Sequence, residues 1–203
     1  MRAPGPSDSL MPALQIAPEL LLRAQSVRVA FFDVDGVLTD GGLYFSERAA
    51  VAGLAEPAAL AAETIKRFHT LDGHGLKMLQ RAGITPVVIS GRDSPALRAR
   101  VQALGIRHAY FGTEDKVPPA EKTLQALGLD WQQAAAMGDD WPDLPVMRRA
   151  AVSAAPANAH IEVRALADHV TEAVGGHGAA RQWCDLLLVA SGHYKSLLDE
   201  YLR

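Results

Sequence analysis

The sequence predicts an α/β fold, a doubly wound parallel sheet with helices on both faces. Three observations carry that expectation. Four apolar runs of strand length recur along the middle of the chain. They are apolar at successive positions rather than alternate ones, as strands buried on both faces must be. Patterns of helical period lie between them, and strands alternating with such helices make a parallel sheet.

The first run, residues 27–32, holds two valines and two phenylalanines and stops at Asp33. The second is the T-P-V-V-I of residues 85–89, which stops at Ser90-Gly91. The third, 108–111, stops at Gly112, and the fourth, 134–137, at Gly138-Asp139. Leu76 and Leu79 belong to a helix that follows Asp72-Gly73 and ends at Gly83. Ser94-Pro95 is a cap with a first-turn proline, after which Leu97, Val101 and Leu104 recur at i, i+4 and i+7. Residues 116–127 form a further helix, closed by Gly128. Right-handed crossovers then put the C-terminal end of every strand on one edge, where ligands of such sheets bind.

Residues 41–68 fall outside this repeat. Leu43, Tyr44 and Phe45, and later Thr64, Ile65 and Phe68, suggest two strands of a small β-hairpin flap. Between them lies an alanine-rich stretch, 49–62, containing Gly53 and Pro57. Near the end of the chain, Gly175, Gly176 and Gly178 precede an apolar helix expected over 181–202. The expected organisation is a partly disordered leader over 1–26, then one domain over 27–203 with flap 41–68 and tail 175–203.

A chain of 203 residues, 49% hydrophobic and 21% charged, suits one globular core. Its formal net charge of −3 offers nucleic acid no basic face. The single cysteine, Cys184, allows no intrachain disulfide, and leucines 20–22 are too few for export or a membrane span. A reducing cytoplasm is the expected location.

The chemistry stands at the ends of the strands. The first gives Asp33-Val34-Asp35-Gly36, the second Ser90-Gly91-Arg92, and Lys116 opens the helix after the third. The fourth gives Gly138-Asp139-Asp140, with Asp143 a turn beyond. Several carboxylates converging on one crevice repel one another unless a hard dication joins them, and Mg²⁺ takes oxygen ligands of this kind. Asp33 and Asp35, two apart in extended chain, point the same way. One attacks phosphorus as nucleophile while the other handles protons. Ser90 donates a hydroxyl, Lys116 brings a point charge for phosphoryl oxygens, and Asp143 holds Lys116. Singly, each has a plainer reading: a turn aspartate, a loop serine, a solvated lysine. Asp40 and Asp140 are as well explained as turn formers. Cys184, Trp131, Trp141 and Trp183 read as packing, and His69 and His74 are wrongly spaced to share a helical face.

V-A-F-F-D-V-D-G-V-L-T-D-G resembles the first motif of the haloacid dehalogenase-like phosphatases. V-V-I-S-G-R, Lys116 and M-G-D-D-W-P-D-L-P match the other three in order. F-H-T-L-D-G-H-G and G-G-H-G-A-A-R-Q-W-C-D-L-L-L narrow the resemblance to the 3-deoxy-D-manno-octulosonate 8-phosphate phosphatase family, over residues 27–192. The resemblance implies a Rossmann-like core with no large cap domain and lipopolysaccharide precursor synthesis as the setting. It implies Mg²⁺ held by Asp33, Asp139 and the backbone carbonyl of Asp35, with Asp140 and Asp143 behind them. Asp72, Gly73, Lys77, Arg92 and Arg100 would line the sugar-acid pocket with Lys116. The assembly would be a homotetramer in which Arg181, on tail 175–181, reaches a neighbour's substrate. The stretch 49–62 is longer than in relatives, and Leu71 and Gln182 replace a basic and an acidic residue.

Three rival readings remain at this level. One is a phosphatase of a nine-carbon, sialic-acid-type sugar phosphate. Another is a phospho-receiver domain, though both paired carboxylates here sit after the first strand. The last is an idle regulatory module, against which the intact set Asp33, Asp35, Lys116 and Asp139 argues.

Overall fold

The computed structural model describes residues 16–44 and 65–203. Six parallel strands form one sheet: β1 (Val29–Phe32), β2 (Thr85–Ile89), β3 (His108–Tyr110), β4 (Ala134–Met137), β5 (Val152–Ala155) and β6 (His169–Val170). Their order is β3-β2-β1-β4-β5-β6, so the winding reverses between β1 and β4. In sheets of this kind the crevice at that reversal is the ligand site. β5 and β6 extend the sheet beyond the four strands read from the sequence.

The apolar runs are continuous because both faces of the sheet are covered. Ala30 and Phe32 of β1 point into one core, and Val29 and Phe31 into the other. The first core is closed by α1 (Pro18–Ala24), α2 (Thr70–Arg81), α3 (Pro95–Leu104), α7 (Ala179–Ala190) and α8 (Tyr194–Tyr201). The second is closed by α4 (Val117–Leu127), α5 (Leu144–Met147) and α6 (Ile161–Leu166). Ser94 Oγ accepts the Leu97 N–H at 3.2 Å, so the Ser-Pro cap works as its residues dictate. Gly105 and Gly128 end their helices in the left-handed conformation.

Four expectations change. Residues 18–24, inside the segment read as a leader, form α1, whose Leu20 and Ala24 are buried one helical turn apart. The helix placed after Asp72-Gly73 begins earlier, at Thr70, because His69 Nδ1 accepts the Leu71 N–H at 3.2 Å and caps it. The C-terminal helix is two helices, broken at Ser191-Gly192, where Gly192 has φ +76°. Trp183, Cys184, Leu186, Leu187 and Leu188 of α7 are buried in the core, as their apolar run suggests. Of the expected flap, 41–44 and 65–68 carry no strand, and the remainder, including 49–62, lies outside the described residues. Among the described residues no helix is long and apolar enough to cross a membrane.

Candidate active site

Asp33 leaves β1 and Asp139 leaves β4, the neighbouring strands at the reversal point. The register is held by Asp33 N–H donating to the Met137 carbonyl at 3.0 Å. The loop after Asp33 folds back on itself around buried Thr39. Its hydroxyl donates to the Val34 carbonyl at 3.2 Å and accepts the N–H of Gly41 at 3.2 Å. At Gly36 any other residue would be strained: φ is +90°, and a Cβ would stand 2.0 Å from Asp139 Oδ2 and push that carboxylate aside. Glycine there lets the first and fourth loops close on one point. Gly175 presses from the other side, where a Cβ would lie 1.7 Å from the Gly36 carbonyl oxygen.

Carboxylate oxygens of Asp33, Asp139 and Asp143 all lie within 4.8 Å of one another. Lys116 is buried between two of them, bonded to Asp33 Oδ1 and, at 2.6 Å, to Asp143 Oδ1. The other oxygen of Asp143 accepts the N–H groups of Asp139 at 3.0 Å and Asp140 at 3.2 Å. Asp143 thus orients both the lysine and the loop that carries Asp139.

One cation among three acids leaves surplus negative charge. Burial, then the charge of Asp143, pushes Asp33 up to about 7 against the pull of Lys116. Burial, then Asp33 and Asp143, pushes Asp139 up to about 8. Burial works against the Lys116 charge, yet Asp33 and Asp143 hold its ammonium above the ordinary lysine value. An all-oxygen donor set with unrelieved negative charge fits a hard dication such as Mg²⁺. Asp33 and Asp139 would hold it, as expected. Asp143 stands in the cluster too, where Asp35 was the third ligand expected through its backbone carbonyl.

Asp35 follows, half-buried, with Lys66 Nζ bonded to its Oδ1. Ser90, fully buried at the end of β2, accepts the Arg92 N–H at 3.1 Å, and Arg92 itself is exposed. Asp140 caps the turn that follows it, accepting the Trp141 N–H at 2.8 Å. Trp141, read as packing, is 60% exposed, with its Nε1–H on His160 Nδ1 at 3.1 Å.

Other residues expected in the sugar pocket are engaged elsewhere. Asp72 is buried and accepts the N–H groups of Gly178 at 3.2 Å and Arg181 at 2.9 Å. Burial raises its carboxyl above the ordinary value, against the pull of those two donors. Gly73 makes room for Arg100, whose Nη2 donates to the His69 carbonyl at 3.2 Å and would be 2.2 Å from a Cβ at 73. Lys77 lines a cavity of about 640 Å³ with Thr85, Arg107 and His108, at the N-terminal edge of the sheet, opposite the carboxylates. Arg181 pairs with Asp185 of its own helix at 2.8 Å. A helix turns each residue by its position along the axis, so residues read as one pocket-facing set need not share a face or an end.

Lys66 and Thr39 carry no reading from the sequence, and Gly175 is read there only as part of the tail. A lysine in T-I-K-R-F and a threonine in a turn carry no periodic signal, and only the close approach of two loops reveals the glycine.

Residues 113–182 match the family of haloacid dehalogenase-like hydrolases. The 3-deoxy-D-manno-octulosonate 8-phosphate phosphatase KdsC of Haemophilus influenzae is 38% identical over 170 residues, covering 84% of this chain and 87% of that one. The crystal structure of the corresponding phosphatase from Yersinia pestis superposes with a TM-score of 0.80 at 34% identity, over 89% of this chain and 90% of that one. The Moraxella catarrhalis enzyme, solved with magnesium, phosphate and a KDO molecule, superposes with a TM-score of 0.81 at 30% identity, over 90% and 98%. On these grounds the chain belongs to the 3-deoxy-D-manno-octulosonate 8-phosphate phosphatase family of haloacid dehalogenase-like hydrolases.

Proposed function

We propose that this protein hydrolyses 3-deoxy-D-manno-octulosonate 8-phosphate to the free sugar acid and phosphate, a step in lipopolysaccharide precursor synthesis. The carrying observation is the acid cluster at the sheet's reversal point, with Asp33, Asp139 and Asp143 within 4.8 Å and Lys116 bridging two of them. The relatives with this fold carry that activity in their names, and one was solved with magnesium, phosphate and KDO.

The Asp33 carboxylate attacks phosphorus as the bond to the sugar oxygen breaks, giving an aspartyl-phosphate. Asp35 gives its proton to the departing alkoxide, then takes one from the water that releases phosphate and restores Asp33. Lys116, fixed by Asp143, and Ser90 face the phosphoryl oxygens. Mg²⁺, when bound by Asp33 and Asp139, neutralises phosphate charge so that an anionic nucleophile can approach. Arg92, exposed beside Ser90, is our candidate for the sugar carboxylate.

We place the enzyme in the cytoplasm as a homotetramer. Leu43, Tyr44, Ile65 and Leu71 are each at least 44% exposed, as suits apolar groups covered by another copy. Sedimentation at the mass of a single chain would remove the tetramer.

A panel of phosphorylated sugars, read by phosphate release with Mg²⁺, tests the function. The expected result is at least a roughly tenfold preference in kcat/KM for the eight-carbon acid over its nine-carbon counterpart and over a neutral hexose phosphate. Equal turnover of all three would overturn the assignment.

A further inference from the structure

Asp35 is not free to turn. Its Oδ1 is taken by Lys66 Nζ, and the two side chains are unequally placed: Lys66 is 1% exposed, Asp35 22%. The ammonium lies inside the protein and the carboxyl is partly open to solvent. An ammonium in such a place loses its hydration, and a buried ion pair seldom repays that cost in stability. Its use is to be sought in what it orients.

The backbone carrying Lys66 is itself held. The next residue, Arg67, reaches Asp40 Oδ2 at 3.5 Å and the His177 Nε2 at 2.8 Å. His177 follows Gly176, whose N–H donates to the Val37 carbonyl at 3.0 Å. Residues 65–69, the loop after Asp33 and residues 174–178 therefore interlock around Asp35.

We propose that Lys66 is the positioning residue for Asp35, fixing which carboxyl oxygen serves the leaving group. Lys66 occupies Oδ1, which leaves Oδ2 to serve the leaving group. A proton passes from Oδ2 to the sugar oxygen as the P–O bond breaks. The inference rests on the reading of Asp35 as proton donor.

The test compares Lys66→Met with the unaltered full-length enzyme, Mg²⁺-loaded, on two substrates. An alkyl sugar phosphate needs a proton on its leaving oxygen, whereas p-nitrophenyl phosphate releases a stable phenolate without one. The expected result is a drop in kcat/KM of about 100-fold on the alkyl ester, the loss typical of a misplaced reacting group, with the aryl ester within about threefold. Lys66→Arg should recover part of the alkyl activity. Equal losses on both esters would overturn the proposal, because a structural or phosphate-binding role affects them alike. No loss on either would overturn it too. If the unaltered enzyme ignores the eight-carbon acid but cleaves other alkyl phosphates, the substrate assignment fails, while those esters still test Lys66.

Discussion

Asp72 accepts the backbone N–H of Arg181 at 2.9 Å and so caps, from α2, a helix that starts more than a hundred residues later. α7 begins after a glycine and has no capping side chain of its own. The four N–H groups at a helix start need acceptors, and here a buried carboxylate from another element serves two of them, those of Gly178 and Arg181. Asp72→Ala should lower stability by about 2 kcal/mol in denaturant unfolding. KM for the sugar phosphate should change little. A large rise in KM with stability intact would return Asp72 to the substrate pocket.

Asp33→Asn removes the attacking oxygen's charge while keeping its shape. Turnover should fall by about four orders of magnitude or more, as when a covalent nucleophile is lost. Circular dichroism should show the fold retained. Appreciable residual turnover would reject the nucleophile.

Lys116→Met leaves Asp33 and Asp143 without their shared cation. Breaking a buried pair from one side costs about 3–5 kcal/mol. The metal-free variant should be destabilised to that extent near neutral pH, and Mg²⁺ should recover part of the loss. Equal stabilisation of variant and parent by Mg²⁺ would mean that the lysine and the dication do not answer the same surplus charge.

The acid cluster makes stability and metal binding depend on pH in a definite direction. Asp33 and Asp139 titrate near 7 and 8 in the folded metal-free protein, against 3.8 ordinarily. The folded state thus keeps protons that the unfolded chain releases, and stability falls as pH rises from about 4 to about 8. Mg²⁺ requires the deprotonated acids. Its effect on the thermal midpoint should therefore be larger near pH 8 than near pH 6. A metal-induced shift independent of pH would contradict this coupling.

The sequence reading reached furthest where one residue type meets one local demand. Continuous apolar runs mark strands buried on both faces, and Ser94-Pro95 and Gly128 mark helix ends. The four motif carboxylates and Lys116 follow from strand ends converging on one edge. β5 and β6 escaped because A-V-S-A-A and a two-residue strand lack bulk and length. Asp72, Arg100 and Arg181 show the other limit. Whether a charged side chain faces a ligand or a distant backbone N–H is decided by packing between elements far apart in sequence, as with Lys66 and Asp35.

The contact between Gly175 and the Gly36 carbonyl makes the last stretch of the chain a mechanical support of the catalytic turn. A protease cut near residue 175 that frees the segment beyond it would silence the enzyme as surely as one beside the nucleophile. Expressed as two pieces divided there, the halves would rebuild a working turn only on joining, so phosphate release would report their reunion.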